Sequence, residues 1–248
     1  MELSHTAAQA LMLAAQGLDR RPPRVATKAD VLATIRRMHV LQIDTIHVVA
    51  RSPYLVLWSR LGAYPQHWLT DLLAEGALFE YWAHEACFVP IEDFGLYRQR
   101  MLDAATMGWR YAREWAEQNR DAIERVLTHV RHHGAVRSAD FERTDGQAGG
   151  WWEWKPEKRA LESLFTAGEL MVARRHHFQR IYDLRERVLP DWDDARMPPS
   201  DQVRRALALN AVRALGITTA AWLADYFRTP KRATAPLPAM LAAEGQLV

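Results

Sequence analysis

The stretch Val40-Leu41-Gln42-Ile43-Asp44-Thr45-Ile46 sits among helical segments but carries a different period, and that change decides the fold. Apolar and polar side chains alternate through it, which is the pattern of a short strand. Upstream, Thr27 caps a helix whose Val31, Ile35 and Met38 form an apolar stripe. Before that, Ser4 caps another in which Ala7, Ala10, Leu11 and Ala14 recur at helical spacing until Gly17 and Pro22-Pro23 stop it. Downstream, Ser52-Pro53 starts a third helix through Leu55 to Leu61, ended at Gly62. Helix, helix, strand, helix is the opening of a winged-helix unit. A further helix from about Pro65 to Ala74 ends at Gly76. Two β-prone runs, Leu78–Trp82 and Ala86–Val89, then supply the wing hairpin, closed by Pro90.

The same order returns later in the chain. Residues 92–133 read as helical with Gly108 as a break, and Ser138 opens a second unit. A Gly-rich loop over 144–150 precedes Pro156, a good first residue for a helix that runs through Leu161, Leu164 and Phe165 to Gly168. Leu170–Arg174 and Gln179–Asp183 then pair as strands around the tip Arg175-His176-His177-Phe178. An acidic, proline-containing stretch follows. Helices are expected from about Asp201 to Leu215, from a Thr218 or Thr219 cap through Phe227, and from about Leu237 to Glu244. The predicted class is mainly α with short β-hairpins (α+β), as tandem winged helix-turn-helix modules. The units are 1–90 with the alternating strand, a helical connector over 91–135, a second module over 136–190, a linker over 191–199, and the start of a third module over 200–248. Gln246-Leu247-Val248 stands where that third module's first wing strand should begin, so the expectation is a module cut before its hairpin.

Composition bounds the function classes. At 248 residues, 49% hydrophobic and 25% charged, the chain can bury a sizeable core, so disorder is not expected. A net charge of +2 permits a polyanionic partner without arguing for one. The single cysteine, Cys87, excludes an internal disulfide and a multi-cysteine zinc site, and it reads as a small buried apolar residue in a reducing compartment. No apolar run is long enough to span a membrane, and the N-terminus lacks the basic start of a secretory signal, so a cytoplasmic location is expected.

Val40–Ile46, with Tyr54-Leu55-Val56-Leu57-Trp58-Ser59-Arg60-Leu61-Gly62 and Phe79-Glu80-Tyr81-Trp82-Ala83-His84 after it, resembles the first module of the AlkZ/YcaQ family of winged-helix DNA glycosylases. Lys158–Glu162, Gly168–Val172 and Tyr182–Pro190 are similar to the same family at the corresponding place of its second module. The resemblance covers nearly the whole chain. It implies excision of N7-alkylated purines and unhooking of interstrand crosslinks by a Gln-Φ-Gln or Gln-Φ-Asp motif, which Gln42, Ile43 and Asp44 match in its second form. It also implies a fold that continues beyond Val248 with the rest of the third winged helix and a β-rich region. Duplex DNA carrying alkylated or crosslinked purines would be the partner, with a nucleoid-associated monomer at full length.

The residues suit that chemistry. Side chains two apart on a strand share a face at about 6.5–7 Å, so Gln42 and Asp44 fall on one surface while Leu41, Ile43 and Thr45 fall on the other. An N7-alkylated purine is already a cationic leaving group, so no strong general acid is required. The reaction needs stabilisation of an oxocarbenium-like sugar and a placed water. A carboxylate supplies the charge and accepts the water's proton, and an amide can both donate to and accept from that water. Asp44 is therefore the electrostatic stabiliser and general base, Gln42 the water positioner. Neither metal nor organic cofactor enters the scheme, and an open cleft that reaches the lesion without full base flipping is its corollary. The bland alternative for Gln42 and Asp44 is a pair that caps helix ends or bonds backbone.

Other candidates carry two readings each. Phe79, Tyr81 and Trp82 are core and wing residues, or Tyr81 and Trp82 face the lesion with Glu80 and His84 in the same cleft. His176 and His177 lack the acidic or sulfur neighbours a metal site needs and so read as a phosphate-facing wing tip. Arg174, Arg175 and Arg180 flank that tip as phosphate ligands or as a solvated hairpin. Lys158 and Arg159, beside Lys155 at the start of the second module's helix, read as phosphate contacts or as solubilising charge. Trp151, Trp152 and Trp154 anchor the Gly-rich loop in the core rather than stack on bases. A non-catalytic winged-helix regulator is the rival function, but it requires a helix whose side chains reach base edges. Tyr54–Trp58 is too apolar for that work.

Overall fold

In the computed structural model, which describes residues 2–22, 24–44, 46–103, 110–142 and 155–248 and only the backbone of 110–113, helix α1 (His5–Ala15) starts from Ser4, whose Oγ accepts the Ala7 N–H at 3.2 Å. Gly108, the loop 144–150, Trp151, Trp152 and Trp154 lie outside the described residues, as do Pro23 and Thr45. Helix α2 (Lys28–Met38) begins with a reciprocal capping box between Thr27 and Asp30 and buries Val31, Ile35 and Met38. The stripe on α1 is less successful. None of its residues is buried, and it only lies along the end of a later helix.

After α2 come β1 (Leu41–Gln42), α3 (Ser52–Leu61) with Pro53 in its first turn, and α4 (His67–Ala74). The pair β2 (Leu78–Trp82) and β3 (Ala86–Pro90) completes an antiparallel sheet in the order β1-β3-β2, with Leu41 opposite Phe88 and Gln42 opposite Cys87. This is the winged-helix topology expected from the change of period at Val40. β1 is shorter than the alternating stretch, but the ladder continues through Ile43, whose N–H donates to the Ala86 carbonyl at 2.7 Å. Cys87 is buried in the middle strand, and burial pushes its thiol pKa up, as expected of an inert residue.

A 3-10 turn at Ile91–Asp93 leads into α5 (Phe94–Leu102), followed by α6 (Arg110–Gln118) and α7 (Arg120–His133). Then come α8 (Pro156–Thr166), the hairpin β4 (Leu170–His176) and β5 (Gln179–Leu184), and the short α9 (Arg185–Val188). Val136 bridges β5, exchanging both backbone hydrogen bonds with Tyr182 at 2.8 Å. It therefore stands to β5 as β1 stands to β3. Helix α7 packs on α8 and β5, so the last part of the segment expected to be a connector occupies the place of the second unit's first helix. Helices α10 (Ser200–Leu215), α11 (Ala220–Tyr226), α12 (Lys231–Thr234) and α13 (Leu237–Ala243) follow. α10 lies against α1, α2 and α5, and the Tyr226 hydroxyl donates to the Met38 carbonyl at 2.7 Å. No single described helix is long and apolar enough to cross a membrane.

The helix before the wing is where a winged-helix regulator presents side chains to the major groove. Here α4 buries Leu69, Leu72 and Leu73 and packs against β4 of the following unit. α8, in the equivalent place of the second unit, ends on the first unit's wing. The Tyr81 hydroxyl donates to the Thr166 carbonyl at 2.7 Å and Trp82 Nε1 to Thr166 Oγ1 at 3.1 Å. Between them Phe79, Tyr81, Phe94, Tyr97 and Phe165 contact one another edge to face, a favourable geometry for aromatic rings. The core is thus continuous from one unit to the next.

The acidic stretch is strapped down. Trp192 stacks edge-on against Phe94 with centroids 5.0 Å apart. The buried Arg98 guanidinium forks onto Asp194 at 2.7 and 2.8 Å and holds that carboxyl down at about 2. Gly168 is required beside this strap. It ends α8 at φ +68°, with its N–H on the Phe165 carbonyl and the next N–H on that of Leu164. A Cβ there would stand 2.7 Å from Met101 Sδ and 2.8 Å from Arg98 Nη1. Gly168→Ala is expected to cost about 1–3 kcal/mol, measured by urea unfolding. An unchanged midpoint would show that the Arg98 end of the strap yields freely.

Candidate active site and nucleic-acid interface

The ladder fixes which side chains of the alternating stretch face out. Leu41 and Ile43 are buried in the core of the first unit, Gln42 is exposed and Asp44 is half-buried. The two polar residues are therefore presented together on the outer side of the sheet edge, as the alternation requires. Asp44 is also held locally: its Oδ1 accepts the Ile46 N–H at 2.9 Å, closing an Asx turn where the strand gives way to the loop. Among the described residues no other hydrogen bond engages that carboxylate, so Oδ2 remains available for a water or a developing cation.

His84 stands in the β2–β3 turn, two residues before Ala86, whose carbonyl receives the Ile43 N–H. Its ring is occupied on both nitrogens, Nδ1 against the Asp225 carbonyl at 3.2 Å and Nε2 against Arg228 at 3.3 Å. The wing tip of the first unit is thereby tied to α11.

The rest of the expected lesion cleft is not a cleft. Glu80 and Tyr81 are buried and Trp82 is half-buried, because the second unit covers the outer side of β2. Tyr81 and Trp82 spend their polar atoms on Thr166. Glu80 is the centre of an ion-pair cluster. It accepts from Arg175 through both oxygens, the Nη2–Oε2 bond at 2.8 Å, and from Arg180 Nε at 3.0 Å. Arg180 continues to Glu162 at 3.1 Å, and Glu162 accepts the Tyr182 hydroxyl at 3.0 Å. Two carboxylates and two guanidinium groups balance one another in a site buried at one end, where the side chains of Glu80 and Arg175 are 0% and 4% exposed, and open at the other, where Glu162 is 23% exposed. Expected as phosphate ligands or as solvated charge, Arg175 and Arg180 instead form the buried bridge between the units, each with its guanidinium turned inward onto a carboxylate.

The other half of the hairpin does face solvent. Arg174, His176 and His177 are exposed. A bulge between Val172 and Arg174 shifts the register, so that Arg174 turns outward while Arg175 turns in. Its two turn residues, His177 and Phe178, take positive φ values of 47° and 66°, the left-handed pair that a tight hairpin needs. Lys158 is half-buried in the first turn of α8, and the Arg159 guanidinium lies 4.5 Å from the centroid of Trp115, where burial lowers its pKa. Arg159 is thus part of the α6–α8 contact.

Two residues not foreseen from the sequence join this region. The Arg51 guanidinium, at the root of α3, lies 4.2 Å from the centroid of Phe178, and that of Arg175 lies 4.3 Å from the same ring. The second unit's wing tip therefore rests against the end of the loop that begins at Asp44. A lone aromatic at a basic hairpin turn was the available signal. A cavity of about 280 Å³ between the end of α1, α2 and Arg60-Leu61 includes none of these residues.

The family model described as DNA glycosylase AlkZ-like matches residues 35–248. Among solved structures, the DNA glycosylase AlkZ of Streptomyces sahachiroi aligns with a TM-score of 0.66, covering 98% of this chain and 67% of that one at 16% identity. At such an identity the likeness concerns the fold, including its winged-helix units.

Proposed function

The chain belongs to the AlkZ-like family of DNA glycosylases, and from that premise we propose that it hydrolyses the N-glycosidic bond of N7-alkylated purines in duplex DNA and unhooks crosslinks made through such purines. The observation that carries this reading is the exposure of Gln42 next to the half-buried Asp44, whose carboxylate is engaged on one oxygen among the described residues. Alkylation at N7 gives the base a positive charge, and breaking the bond passes that charge to the sugar. Asp44 stabilises it as it forms and takes the proton of the attacking water, which Gln42 orients through its amide. Water is the nucleophile, so the enzyme is monofunctional and leaves an abasic site. The exposed Arg174, His176 and His177 of the β4–β5 hairpin hold the phosphates alongside, and Lys158 contributes from the start of α8.

The test is release of 7-methylguanine from methylated duplex DNA, together with conversion of an N7-linked crosslinked duplex to single strands. Release is expected from the alkylated duplex and not from unmodified DNA. Gln42→Ala should slow it about 10–100-fold, the scale of losing one water-positioning partner in general base catalysis, while DNA binding is kept. Binding of DNA with no release would favour the regulator instead.

A further inference from the structure

The loop after β1 leaves a run of aliphatic side chains in solvent. Ile46, Val48 and Val49 are 69%, 89% and 84% exposed. They occupy the loop between β1 and α3, directly after the carboxylate assigned above to catalysis. Side-by-side exposed aliphatic residues mark an interaction surface rather than ordinary scatter. Both roots of the loop are fixed. At the first, the Ile46 N–H is held by Asp44 Oδ1 at 2.9 Å. At the second, Arg51 stacks on Phe178 at 4.2 Å, and the Pro53 side of α3 is buried. Two donors at this second root, Arg51 Nε and Ser52 Oγ, are buried without a hydrogen bond among the described residues. Orphaned donors of that kind call for an explanation, and a loop that adjusts on binding its ligand would relieve them.

The surroundings choose the ligand. Phe178 brings the β4–β5 tip to the loop, and on that tip Arg174, His176 and His177 are exposed, with His47 exposed within the loop itself. An apolar point set among cationic and imidazole groups fits a polyanion with an apolar interior, which is the stacked duplex. We propose that Ile46, Val48 and Val49 form a wedge that enters the base stack of DNA at the step beside the damaged purine. The wedge rests on the reading of Asp44 as the catalytic carboxylate only for its position relative to the lesion. Aliphatic wedges part adjacent bases and kink the helix without turning a nucleotide out of it. That opening would let Asp44 and its water approach the sugar of a base that stays in the duplex, and the Asx turn would set the distance between wedge and carboxylate.

The experiment uses a duplex with 2-aminopurine next to an N7-methylguanine whose sugar carries fluorine at C2′. The fluorine destabilises the oxocarbenium sugar, so the glycosidic bond stays intact and the signal reports unstacking alone. Binding of the wild-type chain should raise 2-aminopurine fluorescence about threefold or more, the sign of an unstacked neighbour. The combined variant Ile46→Ser, Val48→Ser, Val49→Ser should abolish that rise and weaken binding about tenfold or more, on the scale of losing stacking contacts, with an unchanged unfolding curve. Leucine at the same three positions should restore it. A rise that persists in the serine variant, or none with the wild type, overturns the wedge. So does a dimer in sedimentation equilibrium that the serine variant dissolves, because the loop would then be covered by a second copy. No excision by the wild type from the matching duplex without fluorine, with the fluorescence rise intact, would count against the catalytic reading and leave the wedge standing.

Discussion

Asp44→Asn is expected to reduce single-turnover release of 7-methylguanine about 10²–10³-fold, the usual cost of removing one electrostatic stabiliser aimed at a developing charge. The substitution is well matched to the question. An asparagine Oδ1 can still accept the Ile46 N–H, so the Asx turn and the loop beyond it keep their shape. Only the negative charge and the basicity go. Duplex binding should change little, and thermal unfolding should be superimposable on that of the parent. A variant retaining more than about a third of the parental rate would remove Asp44 from the mechanism, since no stabiliser of a cationic transition state is so easily spared. The bland alternative, a carboxylate that serves only its local turn, predicts that outcome.

Glu80 should produce the largest change in stability. Its side chain is fully buried and accepts from two guanidinium groups that come from the far side of the interface between the units. Glu80→Gln would leave Arg180 paired with Glu162 alone and take from Arg175 the carboxylate it pairs with, so buried positive charge goes uncompensated. Breaking such a pair by removing one partner costs about 3–5 kcal/mol. Urea unfolding measures it, and a loss below about 1 kcal/mol would show that water reaches the cluster. The double variant Glu80→Leu, Arg175→Met removes one charge of each sign and should cost less than the two single changes added together. Because Arg175 also supports Phe178, the single change at Glu80 should loosen the wing tip before the core gives way.

What was legible in the sequence was local. Ser4, Thr27, Pro53 and Pro156 mark helix starts, Gly62, Gly168 and Gly216 mark ends, and the alternation around Gln42 gives the strand and its faces. Each of these signals depends on residues within a turn or two of one another. The burial of Glu80 was not legible, because a lone carboxylate in the β-prone run Leu78–Trp82 reads as a side chain on a wet face, and here a second unit covers that face. Its partners lie 95 and 100 residues away. A carboxylate inside an otherwise apolar strand, together with a basic hairpin later in the chain, was the available hint. The division of the hairpin arginines was hidden for a similar reason, since the bulge at Val172/Arg174 decides which of them turns inward. Helix α1 erred in the other direction: its alanine-rich stripe is periodic but shallow, and it buries nothing fully.

The placement of α4 against β4 has a consequence for where on a chromosome such a protein can work. A helix whose leucines are spent on a neighbouring strand is poorly placed to compare one base pair with another, and contacts from a hairpin to phosphates are the same at every step of the duplex. Chemical injury to purines is scattered without regard to genetic context, so a protein that searches for it is served by indifference to the letters around each lesion. By spending that helix on packing between its units, this architecture gives up addresses and keeps a sense of damage.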